Sequence, residues 1–176
     1  PDSVNDISTA TPATHGGSLA LDKNVTLPAY IDAMDVHLMP GNYQGGHSQG
    51  AEAGVVYDNG LDVFSFGVMG KNLDDIGHSM ANFTRVKWPD LSPELIVDVG
   101  CTIGHNTLPW KQAFPEAEVH GLDAASPCLQ YGHARAEAMG IPIQFKQALC
   151  DALPYSDNSV DVVFSSMFLH ELPTEL

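Results

Sequence analysis

A parallel α/β sheet with helices wound about it is the architecture the sequence predicts for residues 91–176, and three observations predict it. Apolar runs end in an acid: "ELIVDVG" reaches Asp98 and "AEVHGLDA" reaches Asp123. Helical segments alternate with such runs at the spacing of right-handed βαβ units. The first run leads into "DVGCTIGHNT", a turn that carries Gly100 and Gly104 but has Thr102 where another glycine is expected.

Each element follows from local chemistry. "ELIVDVG" is continuously apolar up to its acid, as a strand buried on both faces must be. "HNTLPWKQAF" reads as a helix, with Pro109 tolerable in its first turn. "AEVHGLDA" is a second strand. "SPCLQYGHARAEAMG" is a helix with Ser126 as N-cap, Pro127 at its first position and Gly140 as terminator. "IPIQFKQA" is a third strand and, after the turn "PYSDNS", "VDVVFSS" is a fourth. No internal repeat is seen.

The first 90 residues differ in kind. Residues 1–25 are rich in Ser, Thr, Pro, Gly and Asp, the composition of a flexible N-terminal arm. Residues 26–90 read as a helical cap. "LPAYIDAMDVHLMPG" is amphipathic, with Tyr30, Ile31, Met34 and Leu38 at helical spacing. "GNYQGGHSQGAEAG", residues 41–54, has five glycines and reads as a loop suited to a lid. Residues 61–87 hold two helical patterns separated near residues 70–72.

Charge narrows the partners. Seven Lys+Arg stand against 22 Asp+Glu, a formal net charge of -15. Such a surface repels phosphate backbones and anionic lipid, so neither nucleic acid nor a membrane is an expected partner. No apolar run approaches the roughly 20 residues that span a bilayer. Cys101, Cys128 and Cys150 have no motif spacing and read as reduced thiols of a cytoplasmic protein, and no metal site is expected.

The chemistry is expected at the carboxyl ends of the strands, where open parallel sheets bind ligands. Asp98, the loop from Gly100 to Gly104, Asp123, Leu149 to Asp151, and Ser165-Ser166 all fall there. A triphosphate cradle is excluded because no Gly-Lys-Ser/Thr ending is present. Gly100-x-x-x-Gly104 does not fit the dinucleotide fingerprint, and Asp98 is a poor neighbour for a pyrophosphate. An acid there suits a cation. S-adenosylmethionine meets that demand, with a sulfonium, an ammonium and no phosphate. Asp123, ending the next strand, is placed to accept both ribose hydroxyls, because an ionised carboxylate has several acceptor sites.

"LIVDVGCTIGHNT", "VHGLDAA", "ALPYSDNSVDVV" and "FLHEL" together resemble, in order and spacing, the motifs of class I S-adenosylmethionine-dependent methyltransferases. The resemblance covers roughly residues 91–176 and implies a Rossmann-like, doubly wound sheet. It implies that Asp98, Gly100, Cys101, Thr102 and Gly104 lie along the methionine part of the cofactor. It places Asp123 on the ribose and Ala124 beside the adenine, with Leu149 and Cys150 flanking that base. Ser166 matches the position facing the transferred methyl. Two departures stand out. Thr102 replaces the middle glycine, its backbone expected to take the turn and its hydroxyl to face the cofactor's carboxylate or a water. Leu149 stands where an acid often holds the adenine amino group, so Asp151 takes that role or backbone groups at Leu149 and Cys150 do.

The implied reaction is methyl transfer to a small organic acceptor, with S-adenosylhomocysteine as product. The alternatives are transfer of another group, or a catalytically silent binding or scaffold subunit that kept the fold. Positioning supplies much of the catalysis of such a displacement. A general base is needed only where the acceptor loses a proton, and His170 and His37 are the candidates, each with packing or surface exposure as its ordinary role. His47 flanks the same glycine-rich loop. The family normally continues past its fourth strand, so "VDVVFSS" is expected to be an apolar edge, covered by a C-terminal continuation or by a second copy.

Overall fold

The computed structural model describes residues 15–22, 24–33, 37–39, 41–44 and 50–175. Met34, His47 and most of the expected N-terminal arm lie outside these residues. The core is one five-stranded, fully parallel sheet in the order β1-β4-β3-β2-β5. Its strands are β1 (Ser18–Ala20), β2 (Leu95–Val99), β3 (Glu118–Asp123), β4 (Gln144–Gln147) and β5 (Val162–Phe164). The helices are α1 (Ala29–Ala33), α2 (Glu52–Phe64), α3 (Asp75–Lys87), α4 (Leu108–Ala113) and α5 (Ser126–Ala138).

The four strands expected from the sequence are β2 to β5. The chain steps from β2 through β3 to β4 on one side, then returns to set β5 on the other side of β2. The order therefore reverses at β2, which puts a ligand crevice over its carboxyl end. β2 alternates between two cores although nearly every residue is buried. Ile96 faces Trp110, Leu129 and Phe145, whereas Val97 and Val99 face Leu122, Leu153 and Phe168. Asp98 shares the parity of Ile96, so its side chain points toward the start of α4.

Three expectations change. Residues 18–20 belong to the sheet rather than to a flexible arm: Ser18 pairs with Gln144, and its N–H donates to the Ile143 carbonyl at 3.0 Å. A three-residue edge strand carries too little periodicity to be read from sequence. Ser126 is the first residue of α5 rather than its cap; Ala125 holds the cap position, and its N–H is taken by the Asp123 carboxylate. α2 starts at Glu52, inside the segment read as a glycine-rich loop. Gly54 is used for contact there: a Cβ at this position would lie 2.3 Å from that of Tyr131. Ala51 and Ala53 are buried beside it against Ile103, Ala125 and Cys128. Small residues let α2 press on α5, and that docks the cap on the sheet's ligand-binding edge.

β5 forms one edge of the sheet among the described residues, and Val163 on it is 63% exposed. Near it Trp88 and Phe83 are also exposed, 53% and 56%.

Candidate functional site

The turn after β2 is laced to β3 by backbone donors. The N–H groups of Gly100 and Cys101 both donate to the Leu122 carbonyl, at 2.8 and 3.0 Å. Thr102 N–H donates to Asp123 Oδ2 at 2.8 Å, and Ala125 N–H to Asp123 Oδ1 at 2.8 Å. Asp123 thus joins the two βα turns through a carboxyl group fixed by both. Burial raises its pKa, while the N–H groups of Ala125, Thr102 and Ala124 oppose that rise by stabilising the carboxylate.

Thr102 takes the turn that the missing glycine would take, with φ at +51°. Its side chain stands beside the Tyr57 hydroxyl, which comes from the cap. Replacing Thr102 by Gly should change stability by less than about 1.5 kcal/mol. The left-handed strain relieved is about 1–2 kcal/mol, and the added freedom of the unfolded chain offsets about 0.5–1 kcal/mol of it. Urea unfolding measures this. A loss above about 2 kcal/mol would mean that the Tyr57 contact dominates.

Asp98 is 2% exposed and accepts a hydrogen bond from Thr107 Oγ1 at 2.6 Å. Burial pushes its pKa up to about 7; the Thr107 bond pulls the other way and the Asp123 charge adds to the rise. The folded protein therefore holds a proton on Asp98 between about pH 4 and 7 that the unfolded chain has lost. Stability from this group is full below its ordinary carboxylate range and falls as pH rises toward 7. Asp98→Asn should remove that decline, worth up to about 4 kcal/mol, when unfolding free energies of the variant and the parent are compared at pH 4.5 and 7.5. Equal slopes in the two proteins would show that Asp98 is ionised throughout.

A cavity of about 660 Å³ opens over these turns, within the range of small-molecule sites. Of the residues expected in a site, Asp98, Gly100, Cys101, Thr102, Asp123, Ala124, Leu149, Cys150, Ser166, His37 and His170 all line it. Two do not. Gly104 sits behind the turn, where a Cβ would come 2.7 Å from Phe145 Cζ, so it serves core packing. Asp151 is exposed and outside the lining, because the chain turns away after Cys150.

Other lining residues were missed by sequence reasoning. Phe168 covers Gly100, and a Cβ there would lie 2.2 Å from its ring. His105 is buried, and burial, then the Arg135 charge, drops its pKa to about 3, so it is neutral. Its Nδ1 is buried without a hydrogen-bond partner. Glu171 Oε1 accepts from the Tyr43 hydroxyl at 2.9 Å and lies 2.9 Å from His37 Nε2. The signal for Glu171 was present, beside His170 in "FLHEL"; that for His105 was not, because nothing local says which face of a turn is buried.

The electrostatics of the lining are one-sided. Asp98, Asp123 and Glu171 line the cavity, and no Lys or Arg is among the described lining residues. The cap contributes an apolar wall, including Ile31, Met39, Val56, Phe64 and Met69.

Comparisons with known proteins agree with this arrangement. The profile of the family described as "Methyltransferase domain" matches residues 96–176. Malonyl-[acyl-carrier protein] O-methyltransferase of Xylella fastidiosa is 35% identical over 88 residues, which is 48% of this chain and 30% of that protein. Demethylmenaquinone methyltransferase of Thermus thermophilus is 38% identical over 72 residues, 41% of this chain and 33% of that protein. The chain thus spans about a third of the length of these relatives. In fold it is similar to a Methanococcus maripaludis protein proposed to be an S-adenosyl-L-methionine-dependent methyltransferase, with a TM-score of 0.59 at 12% identity over 74% of this chain and 56% of that one.

Proposed function

We propose that this chain, whose residues 96–176 match the methyltransferase domain family, is a class I S-adenosylmethionine-dependent methyltransferase that transfers a methyl group from S-adenosylmethionine to a small organic acceptor. The observation that carries the reading is the lining of the cavity: three acidic side chains, no described cation, and an apolar wall on the cap side. That set disfavours a phosphate-bearing nucleotide and favours a nucleoside whose net charge is positive. The unpartnered Nδ1 of His105 is the kind of buried polar atom that a bound molecule satisfies.

When bound, S-adenosylmethionine supplies a methyl group on a sulfonium, a good leaving group for in-line displacement. In this reading Asp123 accepts the ribose hydroxyls with the acceptor capacity left after its backbone donors. Ala124, Leu149 and Cys150 flank the adenine, and Cys101 and Thr102 border the methionine chain on the turn that follows Gly100. Ser166 faces the methyl end. Asp98 gives up its proton when a cation settles nearby, since an opposite charge favours the ionised form. Tyr57 and Tyr43 close the cavity from the cap; burial raises the pKa of both, so each stays a neutral hydroxyl. The apolar cap wall suits an acceptor with an apolar body.

The relatives named above act on acyl-carrier-bound malonyl and demethylmenaquinone by name, which supports a small-molecule acceptor here too. No described helix is long and apolar enough to cross a membrane. A cytoplasmic location is part of this proposal, since three thiols without motif spacing suit a reducing compartment.

Titration calorimetry with S-adenosylmethionine at pH 7, repeated in two buffers of different ionisation enthalpy, tests the proposal. The expected result is one site per chain with about half a proton released on binding, since Asp98 is about half protonated at pH 7. Absence of binding, with S-adenosylhomocysteine silent as well, would overturn it in favour of a silent scaffold.

A further inference from the structure

We propose that His37, His170 and Glu171 form a divalent-metal site on the wall of the cavity. His37 belongs to the cap, whereas His170 and Glu171 belong to the short 3₁₀ turn Leu169–Glu171 that follows β5. The fold brings them together across 133 residues of chain.

The donor triangle carries the argument. His37 Nε2 and His170 Nε2 are 3.0 Å apart. Glu171 Oε1 lies 2.9 Å from the first and 3.4 Å from the second. Two donors about 2.1 Å from one ion stand roughly 3.0 Å apart at a right angle and roughly 3.4 Å apart at the tetrahedral angle. All three edges fall at or near these values. An ion with such bonds would sit roughly 1 Å off the plane of the three atoms.

The three ligating atoms converge on one point, the two Nε2 atoms beside a carboxylate oxygen. The Tyr43 hydroxyl donates to that oxygen at 2.9 Å, as an outer hydrogen bond does when it orients a ligating carboxylate. Among the described residues no other group of His, Cys, Asp and Glu meets the same closeness.

Two imidazoles and one carboxylate suit zinc and its first-row neighbours. Three protein donors leave positions open, and because all three residues line the cavity those positions are within reach of a molecule inside it. The metal would also tie the cap to the turn after β5, closing one side of the cavity. This proposal stands apart from methyl transfer, since the metal can bind whatever the affinity for S-adenosylmethionine.

The test uses the full chain, free of any affinity tag and stripped with a chelator. Zn²⁺ is titrated calorimetrically, and Co²⁺ is added as a spectroscopic probe. The expected result is one Zn²⁺ per chain and a Co²⁺ spectrum with visible d–d bands and no thiolate charge-transfer band. Glu171→Gln and His170→Ala should each weaken Zn²⁺ binding by about tenfold or more. His37→Gln, at an exposed position, should do the same while circular dichroism reports an intact fold, and His78→Ala should leave binding unchanged. The proposal is overturned by no stoichiometric binding in the parent, by binding retained in all three variants, or by a thiolate band that assigns the metal to a cysteine.

Discussion

Asp123→Ala is expected to weaken S-adenosylmethionine binding by more than about 100-fold, the largest effect of any single side chain in the cavity. Two separate losses combine. Hydrogen bonds to a charged acceptor are worth about 1.5–3 kcal/mol each, and both ribose hydroxyls lose their acceptor in the proposed mode. The N–H groups of Thr102 and Ala125 lose theirs at the same time. The turn that presents Gly100 to Thr102 is then free to shift, and the start of α5 with it. Calorimetry measures the affinity, and urea unfolding reports how much of the fold survives. Asp123→Glu keeps the charge but moves it by one methylene, so it should fold better than Asp123→Ala while still binding poorly. A folded Asp123→Ala protein that binds within about threefold of the parent would remove this carboxylate from the site.

Gly100→Ala is expected to cost roughly 3 kcal/mol of stability and to destroy the cavity wall. The backbone at Gly100 has φ at +76°, a conformation that costs an alanine about 1–2 kcal/mol. The added methyl would also lie 2.2 Å from Cγ and 2.4 Å from Cδ2 of Phe168, well inside van der Waals contact. The ring must leave, and it carries with it the segment that holds His170 and Glu171. Phe168 also packs against Val97, Val99 and Leu122, so those contacts loosen too. The double variant Gly100→Ala/Phe168→Ala should recover part of the binding lost in the single variant, because the overlap is gone and only the backbone cost remains. Strict additivity of the two changes would rule out the contact as the cause.

Much of the core was legible because its signals are local. "ELIVDVG" and "AEVHGLDA" are apolar up to an acid, and a strand buried on both faces can look no other way. Asp98 and Asp123 could be placed at one rim from this pattern alone, since parallel strands expose their carboxyl ends together. The cap was harder. Glycines at 41–54 say loop by propensity, yet Gly54 sits in α2 because Tyr131, some 77 positions away, needs the space. β1 gave no readable signal either, since a short edge strand takes its stability from the strand beside it.

The amino-acid sequence alone determined the α/β class and the strand-end acids, and it carries the expectation of a cationic ligand, because periodicity and charge are carried by neighbouring residues. Tertiary structure alone decided that Tyr57 of the cap stands beside Thr102, that Gly104 serves the core, and that Asp151 stays outside the cavity. It alone set His37 beside His170 and Glu171. The reason is physical: these positions depend on distances between segments far apart in the chain, and such distances exist only once the cap has packed onto the sheet.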